Sequence, residues 1–250
     1  NEFSTAVSPQ GFLFSVPESL SDLAGWWPGE GNHSEVANNH PATSTDVTYT
    51  NGISSLAFHF NGSNAVVDAG DTLDFAPTNF TMSFWIYPRR TADQAVFSRW
   101  GHVSGNPNSW LFVYGADNRV NLIVASAGNQ GGAVAGTAAI PLHEWHHITG
   151  TYDGATIRIY LDGQLSAQTA FAGPMQRPVG TITSIGAKIG DGTAMPMLRF
   201  NPGQPWHVEG AVLGLDVALA PMALRKIDSG PPVEPRILST HRYSFLLSVG

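Results

Sequence analysis

Asp-Gly stands twice in quick succession, at 153–154 in "YDGAT" and at 162–163 in "LDGQL", each time between apolar, β-prone runs. This dipeptide is the strongest short hairpin signal, because both residues tolerate the positive φ of a tight hairpin turn. Between the two turns "TIRIYL" alternates: Ile157, Ile159 and Leu161 point one way, Thr156, Arg158 and Tyr160 the other. Segment 145–170 therefore reads as three antiparallel strands, a meander with one apolar face. A chain that turns this way builds sheets.

The rest of the chain repeats the pattern. "SSLAFHFNGSNAVVDAG" alternates through Leu56, Phe58 and Phe60, turns at Asn61-Gly62 and resumes at Ala65–Val67, which predicts another hairpin. "FTMSFWIYP" is a strand ended by Pro88, with Met82, Phe84 and Ile86 on one face and Trp85 on the other. "QAVFSRW" and "SWLFVYG" flank a polar loop, and "RVNLIVAS", "GTITSIGAKIGDG" and "EGAVLGLDVAL" supply further strands. About twelve short strands in this rhythm predict an all-β fold, a two-sheet antiparallel sandwich or jelly roll. The one helix expected is "APMALRKI", residues 220–227. Residues 1–21 read as an N-terminal linker or extension, and 22–227 as the domain. Residues 228–250 hold a Pro-rich linker, then either the start of a further module or a closing strand on the sandwich.

Composition narrows the partners. The net charge is −7, and Lys188 and Lys226 are the only lysines. Nucleic acid and anionic membrane surfaces both need clustered cations, so neither is an expected partner. No apolar run reaches the length of a membrane span. Without a single cysteine, disulfide and thiol chemistry are excluded. Charged residues make up only 12% of the chain, which together with many Asn, Ser, Thr and Gly suits a secreted bacterial protein.

Three histidines, His143, His146 and His147, crowd the start of the meander. On a strand His146 and His147 face opposite ways, and His143 lies about 13 Å from His147 along the strand. Zinc needs its ligands converging within about 2.1 Å of one point, so these residues are expected to be polar positions of a half-buried strand, His147 mostly buried. Sugar binding has better material. Trp100 and Trp110 bracket the loop "GHVSGNPNS", beside Arg99, Asn106 and Asn108, and Trp206 follows in "NPGQPWHVE". A flat aromatic ring beside amide and guanidinium donors matches a sugar's apolar face and its hydroxyls. These tryptophans are expected at the rim, in contrast to Trp85, expected to be structural.

"WWPGEGN", "AFHFNGSNAVV", "FTMSFWIYP", "EWHHITGTYDGATIRIYLDG" and "IGAKIGDG" occur in this order and resemble the laminin-G-like jelly-roll modules of the concanavalin A-like lectin and glucanase superfamily. The resemblance covers roughly residues 22–227 and implies the concanavalin A-like jelly roll. It also implies calcium, held in many relatives by acids after the "GEGN" loop and in the closing strand. Here Glu35 and Glu209 stand near those positions, with the carbonyl of Asn61 as a further oxygen. The glucanase signature Glu-x-Asp-x-x-Glu is absent, and His146, Tyr152, Arg158 and Tyr160 imitate a lyase cluster only loosely. The expectation is a carbohydrate-binding or adhesion module of a larger secreted bacterial protein, binding a polysaccharide and flanked by further modules. A polysaccharide-cleaving hydrolase or lyase and a structural spacer are the alternatives.

Overall fold

The structure, a computed structural model, describes residues 6–7, 13–14, 23–53, 55–76, 78–101, 108–126, 129–171, 173–190, 193–195 and 217–226. Its strands are β1 (Ala6–Val7), β2 (Leu13–Phe14), β3 (Leu23–Trp27), β4 (Thr43–Thr45), β5 (Thr48–Asn51), β6 (Leu56–His59) and β7 (Val66–Asp68). Next come β8 (Phe80–Pro88), β9 (Gln94–Trp100), β10 (Asn108–Tyr114), β11 (Val120–Ser126), β12 (Asn129–Gly136) and β13 (His146–Tyr152). The series closes with β14 (Thr156–Leu161), β15 (Gln164–Ala170), β16 (Ser184–Ile185), β17 (Lys188–Gly190), β18 (Thr193–Met195) and β19 (Val217–Lys226).

Two antiparallel sheets face each other. One runs β12-β11-β10-β9-β16-β7-β4, the other β15-β14-β13-β8-β19-β6-β5, with β3 added beside β19. The space between them is filled from both sides: Phe84 of β8 meets Phe112 of β10 at 5.2 Å between ring centroids, and Trp27 meets Phe97 at 5.7 Å. Gly150 marks a close approach, since a Cβ there would come within 2.5 Å of Phe112 and 2.7 Å of Leu122. This is the jelly-roll sandwich that the turn rhythm predicts.

The β13-β14-β15 meander forms as the two Asp-Gly turns require. Asp162 and Gly163 both adopt positive φ, 50° and 81°, as a type I′ turn demands. Two other expectations are corrected. The turn at Asn61-Gly62 does not close a hairpin: β6 lies in the eight-stranded sheet and β7 in the seven-stranded one. The Asn61 amide oxygen accepts N–H bonds from Ser63, Asn64 and Ala65, a compact turn that carries the chain from sheet to sheet. Residues 220–226 are not a helix but part of β19, which pairs with β8, β6 and β3. Pairing on both sides outweighs the helix propensity of Ala, Met, Leu and Arg. Pro221 is accommodated at the register shift between Ala220 and Ala223.

Candidate functional site

On β8, β13 and β14 the period of two divides the side chains cleanly. Phe80, Met82, Phe84, Ile86, Ile148, Tyr152, Ile157 and Ile159 belong to the core. Their alternates, Thr81, Ser83, Trp85, His147, Thr149, Thr151, Arg158 and Tyr160, therefore point away from it. Register assembles these into rows across the sheet: Thr81–Thr151–Arg158, then Ser83–Thr149–Tyr160, then Trp85–His147. Directly opposite residues stand about 5 Å apart at Cβ, so each row is a contact row.

This outward face is polar yet buried. Thr149 and Thr151 are each 1% exposed, and neither hydroxyl has a hydrogen-bond partner. The same holds for Nδ1 of the buried His147. Tyr160 stands opposite Thr149 and Arg158 opposite Thr151. An unpartnered buried hydroxyl costs about 1–3 kcal/mol, so three orphaned groups in a line are unusual for a merely structural surface. The His147 ring packs on Trp85 at 5.1 Å. Burial pushes its imidazole down to about 4, against the opposing pull of Asp162, so it is neutral at pH 7 and presents one donor and one acceptor.

At the β8 end of the face the floor gives way to half-buried aromatics. Tyr87 packs on Trp145 at 5.4 Å and on His143 at 6.1 Å, and the Arg89 guanidinium sits 5.9 Å from the Tyr87 ring centre. His143 is held there with φ 64°, its N–H donating to the Pro88 carbonyl. The three histidines do not converge. His146 points to the core side and bonds Asp162 through Nδ1 at 2.8 Å, whereas His147 faces outward. Among the described residues no cluster of three metal-ligating side chains exists.

The residues expected at a loop rim are placed otherwise. Trp110 is fully buried, its ring 4.8 Å from Phe97 and its indole N–H donating to the Phe75 carbonyl. Its rim position is thereby corrected: Trp110 alternates in phase with Phe112 and Tyr114, which makes it a core residue. Arg99 is also fully buried, bonding Thr183, Asp71 and the Pro178 carbonyl, a knot that leaves it no reach to solvent. Trp100 is 6% exposed and packs with Ala95, Leu111, Val113, Ile123 and Ala125 on the outward face of the seven-stranded sheet. Asn108 begins β10, half-buried and opposite Trp100. Asn106, Trp206 and Glu209 lie outside the described residues.

Of the expected calcium ligands, Glu35 does not fit the ion. Both oxygens of Glu35, which is 2% exposed, are filled: Oε1 accepts from the N–H of Trp26 and Ala37, Oε2 from those of Asn38 and His40. Four N–H donors occupy its lone-pair sites and present the positive ends of their dipoles, the opposite of what a cation needs. Glu35 is a structural clamp on the loop after β3. The outward hydroxyl row escaped sequence reasoning, although its signal is visible in retrospect as Thr and Ser alternating with core residues in "FTMSF" and "HHITGTY".

A family profile described as the Concanavalin A-like lectin/glucanases superfamily matches residues 60–196. No curated protein sequence matches the chain. Solved structures do. Domain 4 of AbnA, an extracellular arabinanase from Geobacillus stearothermophilus solved with arabinotriose, is 14% identical with a TM-score of 0.57, covering 82% of this chain and 92% of that one. The receptor binding domain of botulinum neurotoxin C/D mosaic serotype is 10% identical with a TM-score of 0.60, covering 84% of this chain and 49% of that one. A Trypanosoma rangeli sialidase in complex with sialic acid is 18% identical with a TM-score of 0.57, covering 90% of this chain and 34% of that one. The chain thus spans about half the neurotoxin domain and a third of the sialidase. At these identities the likeness carries the fold alone.

Proposed function

Since the chain belongs to the concanavalin A-like lectin/glucanases superfamily, we propose that it is a carbohydrate-binding or adhesion module of a secreted bacterial protein, with the outward face of the eight-stranded sheet as its binding surface. The observation that carries this reading is the line of unpartnered polar groups on β13, His147, Thr149 and Thr151, bordered by Trp85 and Tyr160. Sugar hydroxyls both donate and accept, as threonine hydroxyls do, and the rings beside them suit the apolar face of a pyranose. Binding is favoured over hydrolysis because the outward positions of β8, β13 and β14 hold no carboxylate pair to serve as acid and base. Secretion accords with the low charge.

The test is a glycan array probed with the full chain and with the double substitution Thr149→Val, Thr151→Val. The wild type should bind, and the double variant should lose binding without melting earlier, because valine matches threonine in shape. The lone pairs of Glu35 are already taken, so any effect of chelator on binding would have to come through the other expected ligands, Asn61 and Glu209. If the valine variant binds as well as the wild type, this face is not the site.

A further inference from the structure

We infer that this floor selects an uncharged sugar chain over one bearing carboxylates, an inference that rests on the glycan-binding reading above. A carboxylate brought into a buried surface needs a cation free to meet it. Among the described side chains of these rows the cation is Arg158, and its Nη1 already bonds Asp153 Oδ2 at 2.6 Å. Burial by itself would raise the Asp153 carboxyl, but Arg158 and the N–H groups of Ala155 and Thr156 hold it below its ordinary value. Asp153 therefore stays ionised and keeps the guanidinium. Diverting Arg158 to a ligand would leave that carboxylate without its charged partner.

The remaining charges among the described side chains point the same way. His147 is neutral, and its backbone N–H is bound to the Asp162 carboxylate at 2.8 Å. Asp162 at one end of the β13–β14 ladder and Asp153 at the other set two negative charges beside the floor. Arg89 is positive but sits against the Tyr87 ring, beyond the hydroxyl rows. Arg225 occupies the register position beside Thr81; its side chain lies outside the described set. Thr81, Ser83, Thr149 and Thr151, by contrast, supply four hydroxyls and no charge, the complement of a sugar that carries hydroxyls only.

The experiment is calorimetric titration of the full chain at pH 7, at low and high salt, with arabinohexaose and xylohexaose as neutral probes and a galacturonate hexamer and sialyllactose as acidic ones. A neutral probe should bind with an affinity indifferent to salt, while Thr149→Val with Thr151→Val weakens it by about tenfold or more. The acidic probes should bind at least about tenfold more weakly. Tighter binding of an acidic probe, weakened by salt and lost in Arg158→Gln, overturns the selectivity while leaving the glycan-binding reading intact. No binding of either class, or neutral binding that ignores the valine substitutions, overturns the site itself.

Discussion

The two sheets turn outward faces of opposite character, and both are buried. On the seven-stranded sheet the outward residues are Ala95, Trp100, Leu111, Val113, Ile123 and Ala125, an apolar cluster packed as a second small core. On the eight-stranded sheet they are threonines, a serine, a histidine and an arginine, with Trp85 and Tyr160 among them. Burying the first face stabilises the fold at roughly 25 cal/mol per Å² of apolar surface. Burying the second without partners costs stability. A sheet that keeps polar groups where apolar ones would be more stable is the better candidate for function, because functional sites are where local rules of stability are broken.

The contrast breaks most visibly at two tryptophans. Trp110→Ala, in the core beneath the apolar face, should cost about 3–5 kcal/mol and melt the domain early. Trp85, expected from the sequence to be structural, is half-buried on the polar face, so Trp85→Ala should cost well under half of that and weaken glycan binding instead. Paired denaturant titrations read both, and equal losses would erase the distinction between the faces. Next in size is Leu111→Ala. Although Leu111 points outward it is 3% exposed, so it should behave as a core residue and cost about 2–3 kcal/mol. A loss of only a few tenths would mean that the apolar face is not truly packed.

Acid sharpens the comparison on the polar side alone. His147 is held near 4 in the fold against about 6.5 unfolded, so the unfolded chain binds the extra proton between those values. Stability should therefore be unaffected by His147 above pH 6.5 and fall by about 3 kcal/mol as pH drops toward 4, levelling below. Melting curves of wild type and His147→Gln should converge toward pH 4, the variant lacking this part of the slope. Smallest is Thr149→Val, which removes an unpartnered hydroxyl and should gain about 1 kcal/mol while binding suffers. A loss of stability would show that the hydroxyl had a structural partner after all.

What was legible in the sequence follows from range. The meander was readable because its turns are written locally in Asp153-Gly154 and Asp162-Gly163, and Ile157 and Ile159 face inward as their alternation requires. The helix at 220–227 was misread because propensity is local, whereas the pairing of β19 with β8 and β3 joins residues far apart in the chain. The site was hidden for the same reason. Thr81, Thr151 and Arg158 form a row only once three strands are aligned, and the lack of partners at Thr149 and Thr151 is a property of their surroundings, not their identity. Conversely, Trp110 looked like a rim residue because it follows a polar loop. Its parity with Phe112 and Tyr114 was the signal that mattered.

The pairing of β3 with β19 carries a mechanical consequence. Leu23 lies opposite Arg225 and Trp27 opposite Met222, so the chain enters β3 at the same end of the ladder where it leaves β19. Tension transmitted along the polypeptide would load that ladder from one end and peel its hydrogen bonds one after another, rather than shearing them together. If this protein anchors a surface to a polymer, the sandwich is built to yield at its seam under modest force, with β3 unzipping before the two sheets separate.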